Sequence, residues 1–151
     1  PTIMKLFKYL LFIALFAGIT VPLLISCSND DDEALPIEGY WYERDDGDDP
    51  VNYAMWVFKN GKYVCVYTYK SYITKSELKK YVDEAFRNNK VSNSSVYIGD
   101  KGTYTLKGKK LKLADIDSDV DYVYVSFQKS NSVMVWEDEE WRMYLQRYTE
   151  E

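Results

Sequence analysis

From residue 40 onward, apolar and polar residues alternate in short runs separated by Gly, Asn, Asp and Ser. A period of two sends successive side chains to opposite faces of a strand, so each run predicts a strand with one buried face. The runs fall at residues 40–44, 53–59, 62–72, 102–106, 109–114, 122–128, 132–136 and 141–147. Asn60-Gly61 supplies the two positive φ values of a type I′ hairpin. Lys107-Gly108 and Ser130-Asn131 are the next turn signals. Connections this short place sequential strands side by side, which predicts a mostly β, antiparallel up-and-down meander. Strand parity puts Trp41, Trp56, Phe58, Leu111, Leu113, Val123, Val125, Phe127, Met134, Trp136, Trp141, Met143 and Leu145 on one candidate inner face.

One segment breaks the period of two. Thr74-Lys75-Ser76-Glu77 has capping-box spacing, a hydroxyl at the N-cap with a glutamate three residues on. Leu78, Tyr81, Val82, Ala85 and Phe86 then share one helical stripe, and Asn88-Asn89 can end it. This inserted helix is expected to pack its stripe against the sheet or across an open barrel end. In the second case it would cover the mouth.

The N-terminal part follows neither period. Lys5 and Lys8, just after Met4, precede residues 9–25, which carry no charge and are interrupted by Gly18 and Pro22. A positive start, a short apolar core and a small residue before a cut point are the pattern of a secretory signal. The alternative is a retained membrane helix, for which 17 uncharged residues are at the lower limit. Leu24-Ile25-Ser26-Cys27 ends the run and resembles the lipobox of bacterial lipoproteins. The resemblance implies cleavage before Cys27 and acylation of its thiol and new amine, and more than one acyl chain anchors a protein stably. Residues 1–26 are thus expected to be a signal peptide. Residues 27–38 form a lipidated cysteine with an acidic tether, and residues 39–149 form the folded domain. Ser28-Asn29-Asp30-Asp31-Asp32-Glu33 resembles the surface-export signal of Bacteroidetes-type lipoproteins and also suits a solvated spacer. The expected address is the outer membrane, facing the periplasm or the cell surface.

Charge and composition narrow the function. Losing Lys5 and Lys8 takes 19 basic residues to 17 against an unchanged 24 acids, a net charge of −7. That sign is wrong for nucleic acid and for an anionic lipid surface. With Cys27 acylated only Cys65 remains, so no internal disulfide can form, and its apolar surroundings suit a small core hydrophobe. The absence of histidine excludes Ser-His-Asp and Cys-His nucleophile systems and removes the commonest transition-metal ligand. A glycosidase needs two carboxylates ~5–9.5 Å apart across a cleft. Here the acids gather instead in turn-like runs at residues 45–49, 115–121 and 137–140. No catalytic residue, cofactor or metal is therefore assigned. Asp115, Asp117 and Asp119 have the spacing of the start of a calcium loop, but Val120 and Ser126 stand where that loop needs glycine and a bidentate glutamate. Hard-ion binding and an acidic β-turn both fit these residues.

Tyrosine is abundant, 15 of 151 residues, and Tyr40, Tyr42, Tyr63, Tyr67, Tyr69, Tyr122, Tyr124, Tyr144 and Tyr148 are expected mostly opposite the apolar face. Such residues either fill half-exposed strand positions or form a recognition surface for protein or glycan.

The order Gly39-Tyr40-Trp41, Val57-Phe58-Lys59-Asn60-Gly61-Lys62-Tyr63, Gly102-Thr103-Tyr104, Leu111-Lys112-Leu113 and Tyr144-Leu145-Gln146-Arg147 resembles the lipocalin-like domains of Bacteroidetes-type lipoproteins. The resemblance implies a closed barrel of about eight strands over residues 39–148, with Arg147 capping one end against Trp41. Such a barrel is either filled by its own side chains or holds one small ligand. If hollow, it is expected to carry a small apolar molecule against Trp56, Trp136 and Trp141. If filled, the tyrosine-rich face is left to bind protein or glycan.

Overall fold

A computed structural model describes residues 36–45 and 52–150. The signal segment, Cys27 and the acidic tether up to residue 35 lie outside the described residues, as do the acids of residues 46–49. Eight strands form in chain order: β1 (Gly39–Asp45), β2 (Asn52–Lys59), β3 (Lys62–Thr68), β4 (Tyr97–Lys107), β5 (Lys110–Asp115), β6 (Val120–Gln128), β7 (Val133–Glu137) and β8 (Arg142–Arg147). The helix α1 (Lys75–Asn88) lies between β3 and β4. Each strand pairs antiparallel with the next and β8 pairs with β1, so the meander closes into a barrel.

Local chemistry accounts for the turns. Lys59 pairs with Lys62 across Asn60 (φ 53°) and Gly61 (φ 72°), the two left-handed residues of the tight hairpin. Lys107 pairs with Lys110 around Gly108, also at positive φ. Strand β4 begins five residues earlier than the alternation predicts, because Tyr97 and Ile98 join β3 through a bulge between Cys65 and Val66. The polar Gly99-Asp100 interruption sits at that bulge, which is why period-two reading loses the strand there. Gly102 admits no side chain, since a Cβ would lie 2.0 Å from the Ala114 carbonyl oxygen.

Twelve of the thirteen expected inner-face residues do pack inside the barrel; Trp141 does not. One end is closed by contacts among the chain ends and turns. The Trp41 indole donates to the Ile37 carbonyl at 2.7 Å, and the Arg147 guanidinium lies 4.3 Å from the Trp41 ring centroid. Arg147 donates to the carbonyls of Pro36 (2.5 Å), Glu38 (2.8 Å) and Asn131 (2.9 Å). The cap implied by the family resemblance is therefore present. Gly39 makes room for it, as a Cβ there would meet Arg147 Nη1 at 2.9 Å.

The helix has its expected ends. Thr74 Oγ1 accepts from the Glu77 N–H at 3.2 Å, the Glu77 carboxylate accepts from the Thr74 N–H at 2.8 Å, and Asn89 stops the helix in the left-handed conformation. Its position corrects the idea that it covers the mouth. Leu78, Val82 and Ala85 are buried against Met55, Val57, Val64 and Val66, on the outer face of β2 and β3. These strands are apolar on both faces, as Val57-Phe58 and Val64-Cys65-Val66 record, so water must be kept from both. The barrel interior covers one face and α1 covers the other.

Replacing Arg147 with lysine removes the planar fork while keeping the charge, and should cost about 2 kcal/mol in urea unfolding. Arg142→Lys, at an exposed pair with Glu137, should leave the unfolding midpoint unchanged. Equal midpoints for the two variants would show that the fork does not hold the closed end.

Candidate functional site

From the Arg147-capped Trp41 toward the other end, the barrel wall becomes more polar. Hydrogen-bonded neighbours carry Trp41, Trp56, Cys65 and Asp100 across β1 to β4 on one inward-facing rung. Strand parity sets Glu43 and Asp121 on the inner wall toward the open end. That end is bounded by the β1–β2, β5–β6 and β7–β8 connections and by the excursion through α1.

Two tryptophans meet inside. The rings of Trp56 and Trp136 are 5.0 Å apart and nearly edge to face, and Trp56 stacks on Phe58 and Tyr63 at 6.1 and 6.2 Å. Trp136 is 3% exposed, while Trp56 is half-buried. Among the described residues both indole N–H groups are buried with no hydrogen-bond acceptor. A buried donor left unpaired costs about 1–3 kcal/mol, and more than 90% of buried polar groups find a partner. The two donors belong to neighbouring rings on the inner face.

Trp141 is elsewhere. It sits in the β7–β8 turn, 43% exposed, with its backbone N–H donating to Asp138 Oδ1 at 2.9 Å. The structure thus brings Trp56 and Trp136 together and leaves Trp141 on the rim. The alternation that placed it inside stops one residue short, because β8 begins at Arg142.

At the start of β4, Tyr97 joins Tyr67 and Tyr69 in an aromatic group that the strand pattern does not predict. Tyr97 stacks on Tyr67 at 5.4 Å, and Tyr69 meets Tyr67 edge to face at 5.5 Å. Gly99 leaves space for the Tyr67 ring, which a Cβ would meet at 2.9 Å. The signal available in the sequence was the run Val96-Tyr97-Ile98 before that glycine.

The expected tyrosine face divides into separate groups. Tyr63 is in the core, 1% exposed. Tyr40, Tyr42 and Tyr148 pack with the cluster under α1; Tyr40 donates to Asp83 Oδ1 at 2.5 Å, and Lys79 and Lys75 lie over the Tyr40 and Tyr42 rings. Tyr122, Tyr124 and Tyr144 stay outward and 54–57% exposed on β6 and β8. The single face fails for two reasons: Tyr63 lies across from inward Phe58 and so points inside, and α1 covers Tyr40 and Tyr42 on the outer surface.

The acids also sort by position. Tyr63 donates to Asp100 Oδ2 at 2.9 Å, and burial raises the Asp100 carboxyl above its ordinary range. Burial, with Asp100 beside it, pushes the Tyr63 phenol far up. Burial likewise pushes the Cys65 thiol up, helped by Glu43 and Asp100, so it stays protonated and unreactive at neutral pH. In the β5–β6 turn, Asp115 Oδ1 accepts from the Asp117 N–H at 2.7 Å, and Ser118 takes a positive φ. No group of three or more Cys, Asp or Glu side chains among the described residues is arranged to hold a metal ion.

Burial and Glu38 together push Tyr104 from 10.0 up to about 12. A phenol raised on folding contributes stability that is complete below its unfolded pKa and is lost as pH climbs through the folded value. Stability should therefore fall steeply between pH ~10 and ~12. In a phenolate absorbance titration, Tyr63 and Tyr104 should ionise last, together with unfolding, and Tyr104→Phe should flatten the fall. All tyrosines ionising together in a folded barrel would contradict this.

No protein-family model, curated protein or solved structure matches this chain.

Proposed function

We propose that the chain is a cell-envelope lipoprotein, anchored in the outer membrane through acylated Cys27, whose lipocalin-like barrel is a non-enzymatic binding module. Its ligand is a small, largely apolar molecule held against Trp56 and Trp136. The observation that carries this reading is the pair of buried, unpaired indole N–H groups on the inner face. Indole rings offer broad apolar contact with one polar handle, as small-molecule pockets favour. The unpaired N–H groups add a requirement: the ligand presents a carbonyl, carboxyl or hydroxyl oxygen to them. A binding role rather than catalysis is supported by the lack of histidine and by a sole mature-chain thiol that burial keeps protonated. The leader and the Leu24-Ile25-Ser26-Cys27 motif support the anchor.

A second reading rests on Tyr122, Tyr124 and Tyr144, whose rings stay exposed on the outer face of β6 and β8. In that reading they bind protein or glycan and the interior is solid core.

Cys27→Ala should move the protein out of the membrane fraction. Unchanged membrane fractionation with an uncleaved leader would remove the anchor. Apolar probes that carry a carbonyl or carboxyl oxygen should shift tryptophan emission more than matched hydrocarbons. Trp56→Phe keeps an aromatic ring but lacks the N–H, and should weaken binding about tenfold, the value of one hydrogen bond. Emission that stays fixed for every probe, with only the bare chain in native mass spectrometry, would leave the outer tyrosines as the binding surface.

A further inference from the structure

Alternate turns of an up-and-down barrel share an end, so the β2–β3, β4–β5 and β6–β7 hairpins lie together with Arg147 and the start of β1. Those three hairpins carry Lys59, Lys62, Lys107, Lys109, Lys110 and Lys129, all exposed. Among the described residues none of the six is in an ion pair. The acid beside them, Glu38, is already engaged by the Asn60 N–H at 3.0 Å and the Tyr104 hydroxyl at 3.2 Å. The opposite end has the reverse charge. Asp115, Asp117, Asp119 and Asp121 flank the β5–β6 connection, and Glu137, Asp138, Glu139 and Glu140 flank the β7–β8 connection. Arg142 there is paired with Glu137.

We propose that the lysine-bearing closed end docks on the phosphate headgroups of the anionic membrane surface to which Cys27 tethers the chain, turning the acidic mouth away from the bilayer. The inference rests on the anchoring reading above. The chain joins the barrel at this same end, where Arg147 holds the Pro36 and Glu38 carbonyls. Eight residues separate Cys27 from Pro36, a reach of at most roughly 30 Å, so the lysines are kept near the surface. The net charge of the mature chain opposes such a contact, but charges are screened beyond about 10 Å. A strand of six residues such as β5 already spans roughly 20 Å, so a surface at one end does not feel the acids at the other. Each lysine near an anionic leaflet contributes about a fivefold factor in binding. The exposed large apolar side chains lie elsewhere, in the open-end connections, the start of β4 and the outer faces of β6 and β8, so the contact is electrostatic and salt-sensitive.

The test uses the full chain, processed in a bacterial host and reconstituted on vesicles of phosphatidylcholine alone or mixed with phosphatidylglycerol. Lysine accessibility is read by an amine-reactive label and mass spectrometry. On the mixed vesicles Lys59, Lys107, Lys109 and Lys129 should label several-fold more slowly than on phosphatidylcholine, and high salt should abolish the difference. Lys80 and Lys90, exposed on and just beyond α1, should label equally on both. The combined variant Lys107→Glu, Lys109→Glu and Lys129→Glu, at exposed hairpin positions, should lose the protection of Lys59 while keeping its circular dichroism. Equal labelling on both vesicles, whether fast or slow, overturns the proposal. The mass of the Cys27 peptide is read separately, so an unacylated cysteine sinks the anchoring reading, whereas an acylated chain with indifferent lysines sinks only the headgroup contact.

Discussion

Arg147 sits where the last strand must meet the first, and the closure of the barrel depends on what it holds there. The β1–β8 seam has only two registered residue pairs, Trp41 with Arg147 and Tyr42 with Gln146, against seven between β1 and β2. A seam so short has few ladder hydrogen bonds of its own. The guanidinium supplements it with three donor contacts to backbone carbonyls, two in the segment leading into β1 and one in the β6–β7 turn, and it covers the Trp41 ring. A planar, permanently charged fork suits this task because it can reach several carbonyls at once without losing its proton. With the seam fixed, every inner side chain has a defined opposite, and Phe58, Leu111, Met134 and Leu145 are fully buried inside.

Closing one end this firmly sets the character of the other. Toward it, the Trp56–Trp136 pair still belongs to the core cluster, and Tyr63, stacked on Trp56, donates to Asp100. The helix does not intrude, because its apolar stripe is spent on the outer faces of β2 and β3. The unpaired indole donors, the raised carboxyl and the tyrosines at the β3–β4 bulge all belong to this half. The backbone cap and the unmet indole donors thus belong to different parts of one barrel.

The meander also sorts charge. Hairpins at one end are lysine-bearing and connections at the other are acidic, so a net charge summed over the chain misdescribes what any partner at either end would meet. Summation loses that information because screening makes charge a local quantity.

Much of this molecule was legible in its letters. Period-two alternation gave eight strands, Asn60-Gly61 gave the tight hairpin, and Thr74 with Glu77 gave the helix start, since each depends on residues close in the chain. Twelve of the thirteen inner-face residues followed from parity, which a strand enforces locally. What the letters left open were matters of what comes to lie across from what. Whether α1 covered the mouth or the wall depended on which strand faces were left bare after closure. Trp141 left the interior because β8 starts one residue later than its pattern. The shared tyrosine face broke up because a helix distant in sequence covered part of it. The unmet N–H groups of Trp56 and Trp136 could not be read at all, because an acceptor's absence is a property of the assembled surroundings. The sequence by itself determined the strands, their order and nearly all their inward residues through local periodicity and turn chemistry; only the tertiary structure decided which polar groups stay unpaired and which faces are covered, because both are set by neighbours far apart in the chain.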